Sequence, residues 1–285
     1  MLNTKMKHSK SLIMVSLLAL VLSKNTQAEG VLKVCAEPNN LPFSNDKGEG
    51  FENKIAELLA KDLNRSVVYT WQRQGEGFIR QTLGSGACDV VIGVPAQLEG
   101  VKTTTPYYCS IYAIVTRKKS HLNIHSYADP AWKKLKIGLH SVGSDGSNSP
   151  PAHALGLHDL GSQVVGYTMW GTDDESPQGD VVKAVADGSI DIAIVWGPFA
   201  GYFAKPFGSQ LIVRPAPVEP ALPNQPFAWD IAAAVRSDDE ALLVSLDDSL
   251  RRQSAKIQGI LKNFGVPIIK LDPVTVKPQA LQSTQ

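Results

Sequence analysis

Four short apolar runs stand out in the pattern of hydrophobic and polar positions along the chain. They read VLKVCA, DVVIGV, LKIGL and DIAIVW, and each is nearly continuous in apolar residues. Strands that are covered on both faces, as in a parallel sheet, have this pattern, whereas half-buried strands alternate. The runs therefore predict four buried strands in mainly parallel sheets.

Segments with helical periodicity lie between these runs. In FENKIAELLAKDL the apolar residues recur at the spacing of one helix face, at Phe51, Ile55, Leu58, Leu59 and Leu63. Residues 179–187 repeat this pattern, and a longer helical region is predicted from Asp239 to Phe264, where Gly265 ends it. The alternation of strands and helices predicts an α/β architecture with right-handed crossovers.

One pattern of strand, helix, Gly-containing turn and Asp occurs twice in the chain. Leu32 and Leu135 open the two copies 103 residues apart, and Asp89 and Asp191 precede the later strands 102 residues apart. Such self-similarity indicates a repeated structural unit. We expect two α/β lobes built on one plan.

Linkers set the expected boundaries of these lobes. Lobe 1 is predicted at residues 29–117 plus 226–265, lobe 2 at 118–225, and a loose C-terminal tail at 266–285. Two crossovers join the lobes, one near Thr116–Ser120 and one through the proline-rich stretch PAPVEPALPNQP.

The basic cluster Arg117-Lys118-Lys119 lies at the first crossover. We expect it to be a solvated linker. The segment PFAWDIAAAVRSDD after the second crossover is expected to form a strand that rejoins lobe 1.

The N-terminal 28 residues have the composition of a secretory signal peptide. Lys5, Lys7 and Lys10 precede the apolar run SLIMVSLLALVLS, and small residues precede Glu29. The apolar run is shorter than the roughly 20 residues that a membrane-spanning helix needs. We predict a cleaved signal peptide and a periplasmic mature chain without a membrane span; a retained anchor is the alternative.

The charge balance argues against a nucleic-acid partner. Removal of residues 1–28 takes away four lysines and no acidic residue, so the formal net charge changes from +1 to −3. Proteins that bind nucleic acids through phosphates gather lysine and arginine on one face, which this composition does not favour.

Three cysteines are present, at positions 35, 88 and 109. In an oxidising compartment Cys35 and Cys88 are the favoured disulfide pair, because both lie in predicted neighbouring strands. The register of the strands could still hold their Cα atoms too far apart, so three free thiols are an equal alternative.

Candidate ligand contacts follow the carboxyl ends of the predicted strands, where open α/β sheets bind ligands. They combine aromatic walls with a few polar groups, as small-molecule pockets do. The candidates are Asn39, Asn40, Phe43, Trp71, Arg73, Pro95, Gln97, His140, Ser141, Trp170, Trp196, Pro198, Phe199 and Tyr202. In the alternative interpretation Trp196 and Phe199 only pack between the lobes, and Asn39-Asn40 only form a turn.

Catalytic and metal-binding patterns are weak. His140, His153 and His158 lack the spacing of a helical zinc site, no Cys-x-x-Cys occurs, and these histidines are expected in turns or at the surface. No G-x-S-x-G nucleophile elbow is present. The sequence therefore predicts neither an enzyme nor a bound cofactor or metal.

Four separated blocks carry a family resemblance over nearly the whole mature chain. They are VCAEPNNLPFSNDKGEGFENKIAELLA, CDVVIGVPAQLEGVKTTTPYYCSIYAIVTRK, GSDGSNSPPAHAL and DIAIVWGPFAGYFAK. In this order they resemble the substrate-binding-like J proteins associated with PQQ-dependent methanol dehydrogenases of calcium or lanthanide type. The resemblance implies a type II periplasmic-binding-protein fold and the dehydrogenase as partner, with a role in its maturation, assembly or activation.

The resemblance also implies what the chain does not bind. Amino-acid-binding relatives have an Arg after the third strand and an Asp in the second lobe, but here the segments read Pro95-Ala96-Gln97 and Trp196-Gly197-Pro198. Without a bidentate Arg, an α-carboxylate loses its strongest partner. The alternative to a protein partner is an ABC-transporter component that binds a neutral or aromatic small molecule; an enzyme on this fold is a weaker third possibility.

Overall fold

The computed structural model describes residues 30–140, 148–170 and 176–269. The predicted signal peptide and nearly all of the predicted tail lie outside these ranges, and so does Ser141.

The strands and helices follow the predicted alternation. The strands are β1 (Gly30–Ala36), β2 (Asn39–Asn40), β3 (Ser44–Asn45), β4 (Arg65–Trp71), β5 (Val90–Pro95), β6 (Lys102–Thr103), β7 (Tyr108–Arg117), β8 (Ile137–His140), β9 (Val164–Tyr167), β10 (Ile192–Trp196), β11 (Leu211–Pro215) and β12 (Ala228–Val235). The helices are α1 (Phe51–Asp62), α2 (Phe78–Gln81), α3 (Pro150–Leu157), α4 (Asp180–Asp187), α5 (Gly197–Ala204), α6 (Glu240–Arg252) and α7 (Ser254–Asn263). The four predicted buried strands are confirmed as β1, β5, β8 and β10.

The sheet consists of two parallel halves joined by antiparallel cross strands. In the first half β1 lies between β4 and β5, and all three run parallel. In the second half β8 lies between β9 and β10, again in parallel. Strand β12 is antiparallel to β5, and β7 is antiparallel to β10, which makes the whole sheet mixed.

Strand β7 connects the two halves by changing partners along its length. Residues Tyr108–Ile111 pair with β12, whereas Tyr112–Thr116 pair with β10. Eight strands therefore belong to one hydrogen-bonded path, β4-β1-β5-β12-β7-β10-β8-β9, while β11 pairs with β7 and β6 pairs with β12 beside it. The division into lobes at residues 29–117 plus 226–265 and 118–225 stays a prediction.

Helices cover both halves. Phe51, Ile55 and Leu59 of α1 are fully buried against the first half, where α6 and α7 complete the core. In the second half α4 and α5 cover one face and α3 the other. Because both faces of β5, β8 and β10 are covered, these strands are mostly buried and nearly continuous in apolar residues, as their sequences predicted.

The internal repeat extends to individual hydrogen bonds. The carboxylate of Asp89 accepts a bond from the backbone N–H of Lys33, and that of Asp191 accepts one from Lys136 N–H, at 3.1 and 3.0 Å. Each carboxylate also pairs with an arginine of a cross strand or its end, Arg236 and Arg117 respectively. Both halves are thus fastened by the same Asp–Arg arrangement.

Arg117 is not part of a solvated linker, so that prediction is wrong. Its guanidinium donates hydrogen bonds to the carbonyl oxygens of Val185 and Ile190, at 2.8 and 2.5 Å, and pairs with Asp191 at 3.0 Å. The Arg117 guanidinium is needed inside the second half because it donates to three acceptors there, two carbonyl oxygens and one carboxylate. The other two residues of the basic cluster, Lys118 and Lys119, are exposed.

The predicted helical region from Asp239 to Phe264 is divided at Gln253. Helix α6 ends there and α7 begins at the next residue. The division lies against Asp62 at the end of α1, whose carboxylate accepts hydrogen bonds from Ser249, Arg252 and Gln253. This long-range contact is not visible in the apolar periodicity.

The structure contains a disulfide between Cys35 and Cys88, whose Cα atoms are 5.5 Å apart. It lies between β1 and the segment before β5, in an apolar cluster with Phe78 and Leu83. Cys109 is a buried free thiol, and burial raises its pKa to about 12.

Candidate functional site

A cavity of about 300 Å³ lies between the two halves. Its walls come from the carboxyl ends of β1, β5 and β10 and from the cross strands β7 and β12. The described residues that line it are Asn40, Phe43, Glu52, Gln74, Gly93, Val94, Pro95, Tyr108, Tyr112, Met169, Trp196, Phe199, Trp229 and Ile231. Open α/β sheets bind ligands at this edge, which makes the cavity the first candidate site.

Six aromatic side chains form most of the wall. The rings of Phe43 and Phe199 meet edge to face with centroids 5.1 Å apart, and those of Tyr112 and Trp196 do so at 5.3 Å. Phe43 follows β1 and Phe199 lies in α5, so one of these contacts joins the two halves directly. Edge-to-face packing leaves ring faces available to line the cavity.

Glu52 is an acidic residue in this apolar wall. It is the second residue of α1, only 7 % exposed, and its carboxyl lies against Gly93 of β5. A Cβ at position 93 would overlap Oε1 of Glu52, so a larger residue there would displace this carboxyl group. Burial raises the pKa of Glu52 to about 8.

No hydrogen bond within the described residues reaches the carboxyl of Glu52. Buried acids are normally hydrogen-bonded or paired, because an unpaired charge in an apolar environment is strongly unfavourable. Burial therefore favours the protonated form of Glu52.

Neutral polar groups complete the cavity. Asn40 donates a hydrogen bond from Nδ2 to Oε1 of Gln74 at 3.2 Å, and the backbone N–H of Gln74 donates to the Glu37 carboxylate at 2.5 Å. Burial raises the pKa of Tyr112 to about 12 and that of Tyr108 well above 10, so both phenols keep their protons. Among its described lining residues, the cavity thus combines neutral donors with one acid, Glu52.

Five of the predicted contact residues line this cavity together. They are Asn40, Phe43, Pro95, Trp196 and Phe199. They come from segments that follow β1, β5 and β10, as the strand-end rule predicted.

Two more predicted residues contact Gln178 beside the cavity, and the bond from Gln178 to Asn39 joins the two halves. The backbone carbonyl of Asn39 accepts a hydrogen bond from Nε2 of Gln178, and Nε2 of His140 donates to the Gln178 carbonyl. The His140 ring also packs edge-on against Phe199 at 5.0 Å, and burial lowers its pKa. His140 is therefore not the turn or surface histidine that the sequence suggested.

The remaining predicted contacts lie away from the cavity lining. Arg73 stacks over the Trp170 ring at 4.7 Å, and Trp71 stacks on Tyr69 at 4.5 Å. Gln97 occupies an exposed turn with φ +62°. Pro198 is buried in the first turn of α5, and Tyr202 stacks on Phe264 at 5.8 Å.

The sequence did not point to several lining residues, above all Glu52, Tyr108, Tyr112 and Trp229. Glu52 has the sequence context of an ordinary first-turn acid of a helix. The other three lie within the cross strands rather than after strand ends. Only the partner change along β7 brings Tyr108 and Tyr112 to the cavity.

The cavity lining contains no lysine or arginine among the described residues. The segments 141–147 and 171–175, outside the described residues, also contain neither residue type in their sequences. An adjoining groove of about 860 Å³ shares Gln74, Gly93, Val94 and Pro95 and continues over the apolar face near Phe78. The arginines of this groove lie in the adjoining part, at positions 80 and 236.

Across the described residues, no cluster of three His, Cys, Asp or Glu side chains has the arrangement of a metal site. No helix within those ranges combines the length and apolar character needed to span a membrane.

The family model described as bacterial extracellular solute-binding proteins, family 3, matches residues 32–265. The chain is 31 % identical over 254 residues to Protein MoxJ of Methylorubrum extorquens strain AM1, which covers 84 % of this chain and 82 % of that protein. These matches include all the strands that build the cavity.

Two solved structures are similar over the same region. Periplasmic binding protein XoxJ from Methylobacterium extorquens AM1 matches with a TM-score of 0.68 and 33 % identity, over 84 % of this chain and 100 % of that one. MxaJ from Methlophaga aminisulfidivorans matches with a TM-score of 0.72 and 29 % identity, with the same coverage. The mixed sheet and these likenesses agree with the predicted type II periplasmic-binding-protein fold.

Proposed function

Since the chain belongs to the family 3 bacterial extracellular solute-binding proteins and, within them, to the MoxJ type, we propose that it serves a PQQ-dependent methanol dehydrogenase as a periplasmic accessory protein. It acts by contact with the dehydrogenase and aids its maturation, assembly or activation. A cleaved N-terminal signal peptide exports it, and it has no catalytic role of its own.

The observation that carries this proposal is the combination of a long family match with an altered binding site. The similarity to MoxJ spans 84 % of the chain, yet the residues that the structure describes in the cavity lining include no lysine or arginine for an α-carboxylate. A binding protein that keeps its fold without the arginine that holds amino acids is free to use its surface for another purpose.

The position of the cavity supports a second candidate function. Residues from both halves enclose about 300 Å³, which is the arrangement that a closing solute-binding protein needs. A ligand-binding component of an ABC importer for a neutral or aromatic small molecule is therefore the alternative.

Adding the purified protein back to a cell-free extract separates these functions. Periplasmic extract from a deletion strain is assayed for methanol dehydrogenase activity before and after addition of the mature chain, with the heat-denatured chain as control. We expect the native chain to restore activity and to co-purify with the dehydrogenase. An importer component cannot act in an extract without membranes, so failure there combined with growth rescue in intact cells would contradict the accessory role.

A further inference from the structure

Glu52 is a buried acid to which the accessory function assigns no role. We propose that the cavity between the two halves binds a small organic ammonium ion that carries no carboxylate, with Glu52 as its counter-charge. This proposal goes beyond the accessory function and does not rest on it.

The charge of the cavity supports a cationic ligand. Glu52 is the only acidic residue of the described lining, and no lysine or arginine accompanies it there. The residue is 7 % exposed, and its carboxyl lacks a hydrogen-bond donor among the described residues. A buried carboxylate becomes favourable only when an opposite charge reaches it, and in this cavity the ligand is the group that can supply that charge.

The aromatic wall supports an ammonium group in particular. Cations bind over the faces of Trp, Tyr and Phe rings, and clusters of such rings recognise alkylated ammonium groups. Trp196, Trp229 and Tyr112 line the same cavity as Glu52. A carboxylate and several ring faces around one space provide both kinds of stabilisation that an alkylammonium ion uses.

The same features select against amino acids. The carboxylate of a zwitterionic ligand would lie in a space lined by Glu52 and aromatic rings, and no lining residue in the described ranges offers a guanidinium to receive it. A volume of about 300 Å³ is also at the lower end of small-molecule sites. A compact monocation fits these limits better than a long zwitterion.

Gly93 lies against the carboxyl group of Glu52, and both residues line the cavity. Its Cα lies so close to Glu52 that any side chain at position 93 would displace the carboxyl group. Gly93 itself lines the cavity. The acid and the glycine together form one corner of the binding site.

Calorimetric titration of the mature chain with matched probes tests this proposal. Choline and n-butylammonium are compared at pH 8.5 with their neutral analogues 3,3-dimethylbutan-1-ol and butan-1-ol, and choline also with glycine betaine. We expect at least one cation to bind about tenfold or more tightly than its neutral analogue, and glycine betaine to bind more weakly than choline. Which cation binds tells whether the site takes a primary or a quaternary ammonium group.

Two variants identify the residue responsible. Glu52→Gln keeps the size of the side chain and should weaken cation binding about tenfold or more, while leaving the neutral analogue unaffected. Glu57→Gln on the exposed face of the same helix should change neither affinity. If neither cation binds, if the neutral analogues bind equally well, or if Glu52→Gln binds like the wild type, the proposal is wrong; the wild-type comparison decides even if a variant does not fold.

Discussion

The pKa of Glu52 in the folded state lies far from its ordinary value. This one residue should therefore change how the free energy of unfolding depends on pH. Its pKa rises from 4.5 to about 8 because of burial. Between these values the folded state holds one proton more than the unfolded state. The free energy of unfolding therefore decreases as the pH rises through this range, and the contribution is lost above about 8.

We predict that Glu52→Gln reduces this loss of stability. The difference in unfolding free energy between the wild type and the variant should change by about 1.4 kcal/mol per pH unit between pH 5 and 7, in favour of the variant at higher pH. Tyr107 and Tyr108, which face Glu52, stay protonated because their pKa values are raised well above 10. Urea unfolding at pH 5, 6 and 7 measures the effect.

Glu57→Gln is the matched control for this measurement, because its side chain is half exposed on the same helix. Its pH dependence should follow that of the wild type. Parallel curves for the wild type and Glu52→Gln would contradict a buried, protonated acid at position 52.

At the residue scale the sequence predicted the cavity in part. Asn40, Phe43, Pro95, Trp196 and Phe199 were found because a general rule places ligand contacts after strand ends. Glu52 was not found, because an acid in the first turn of a helix is equally favourable in water. Whether such a side chain faces solvent or a cavity depends on the strand that packs against it.

At the scale of elements, the two Asp–Arg arrangements show why the repeat is more than a similarity of strands. Asp89 and Asp191 each accept a hydrogen bond from a backbone N–H, that of Lys33 within β1 and that of Lys136 directly before β8. Arg236 donates to the Cys88 carbonyl at 2.5 Å, and Arg117 donates to the Ile190 carbonyl, which occupies the equivalent place. Each half therefore uses one arginine from a cross strand to close its parallel sheet.

We predict that Arg117→Met lowers the free energy of unfolding by about 2 kcal/mol, since it leaves two carbonyl oxygens and the partly exposed Asp191 without their donor. Lys118→Met, at the exposed neighbouring position, should change stability by less than about 0.5 kcal/mol. Chemical denaturation of both variants provides the comparison. Equal stabilities would show that Arg117 is solvated after all.

The disulfide between Cys35 and Cys88 also stabilises the first half. It closes a loop with a sequence separation of 53 residues, for which loop-closure entropy gives about 4 kcal/mol of stabilisation. We predict that replacing both Cys35 and Cys88 by Ala causes a loss of this order and makes stability independent of reductant. The measurement is urea unfolding with and without reductant.

Cys109→Ala is the control for the disulfide, because Cys109 is the buried free thiol. This variant should keep the wild-type sensitivity to reductant. A wild type whose stability does not respond to reductant would contradict the disulfide.

Element boundaries were predictable where local signals decide them and not elsewhere. Helix α1 begins and ends within a residue of the predicted apolar pattern, and α4 does so too. The division at Gln253 depends on Asp62, nearly two hundred residues earlier in the chain. The partner change of β7 likewise depends on strands that arrive later, so neither could be read from local periodicity.

At the scale of the whole molecule, the two halves meet again on the side where the chain leaves α7. Gly201 of α5 packs directly on the backbone of Gly265, and Oγ of Ser110 donates to the Pro267 carbonyl at 2.7 Å. Lys205 also contacts the Asn263 carbonyl. A repeat in the sequence predicted two units but not this contact, which depends on how the units are oriented.

We predict that Gly201→Ala destabilises the protein although alanine is the better helix former. A Cβ at position 201 would overlap the Gly265 carbonyl oxygen, and a backbone atom cannot move aside as a flexible side chain can. Relieving the overlap must separate α5 from the end of α7, at a cost of about 1 to 3 kcal/mol. Denaturant unfolding measures the cost, and small-angle X-ray scattering measures whether the halves move apart.

Gly259→Ala provides the opposite expectation within the same pair of elements. Gly259 lies in α7 with open space around the site of its missing Cβ, so the substitution should stabilise the helix by about 0.5 to 1 kcal/mol. The gain in helix propensity from glycine to alanine is the same in both variants. They differ because only position 201 contacts Gly265. If Gly201→Ala were as stabilising as Gly259→Ala, the two halves would not be held together at this point, and closure of the cavity would depend on Gln178 and the Phe43–Phe199 contact instead.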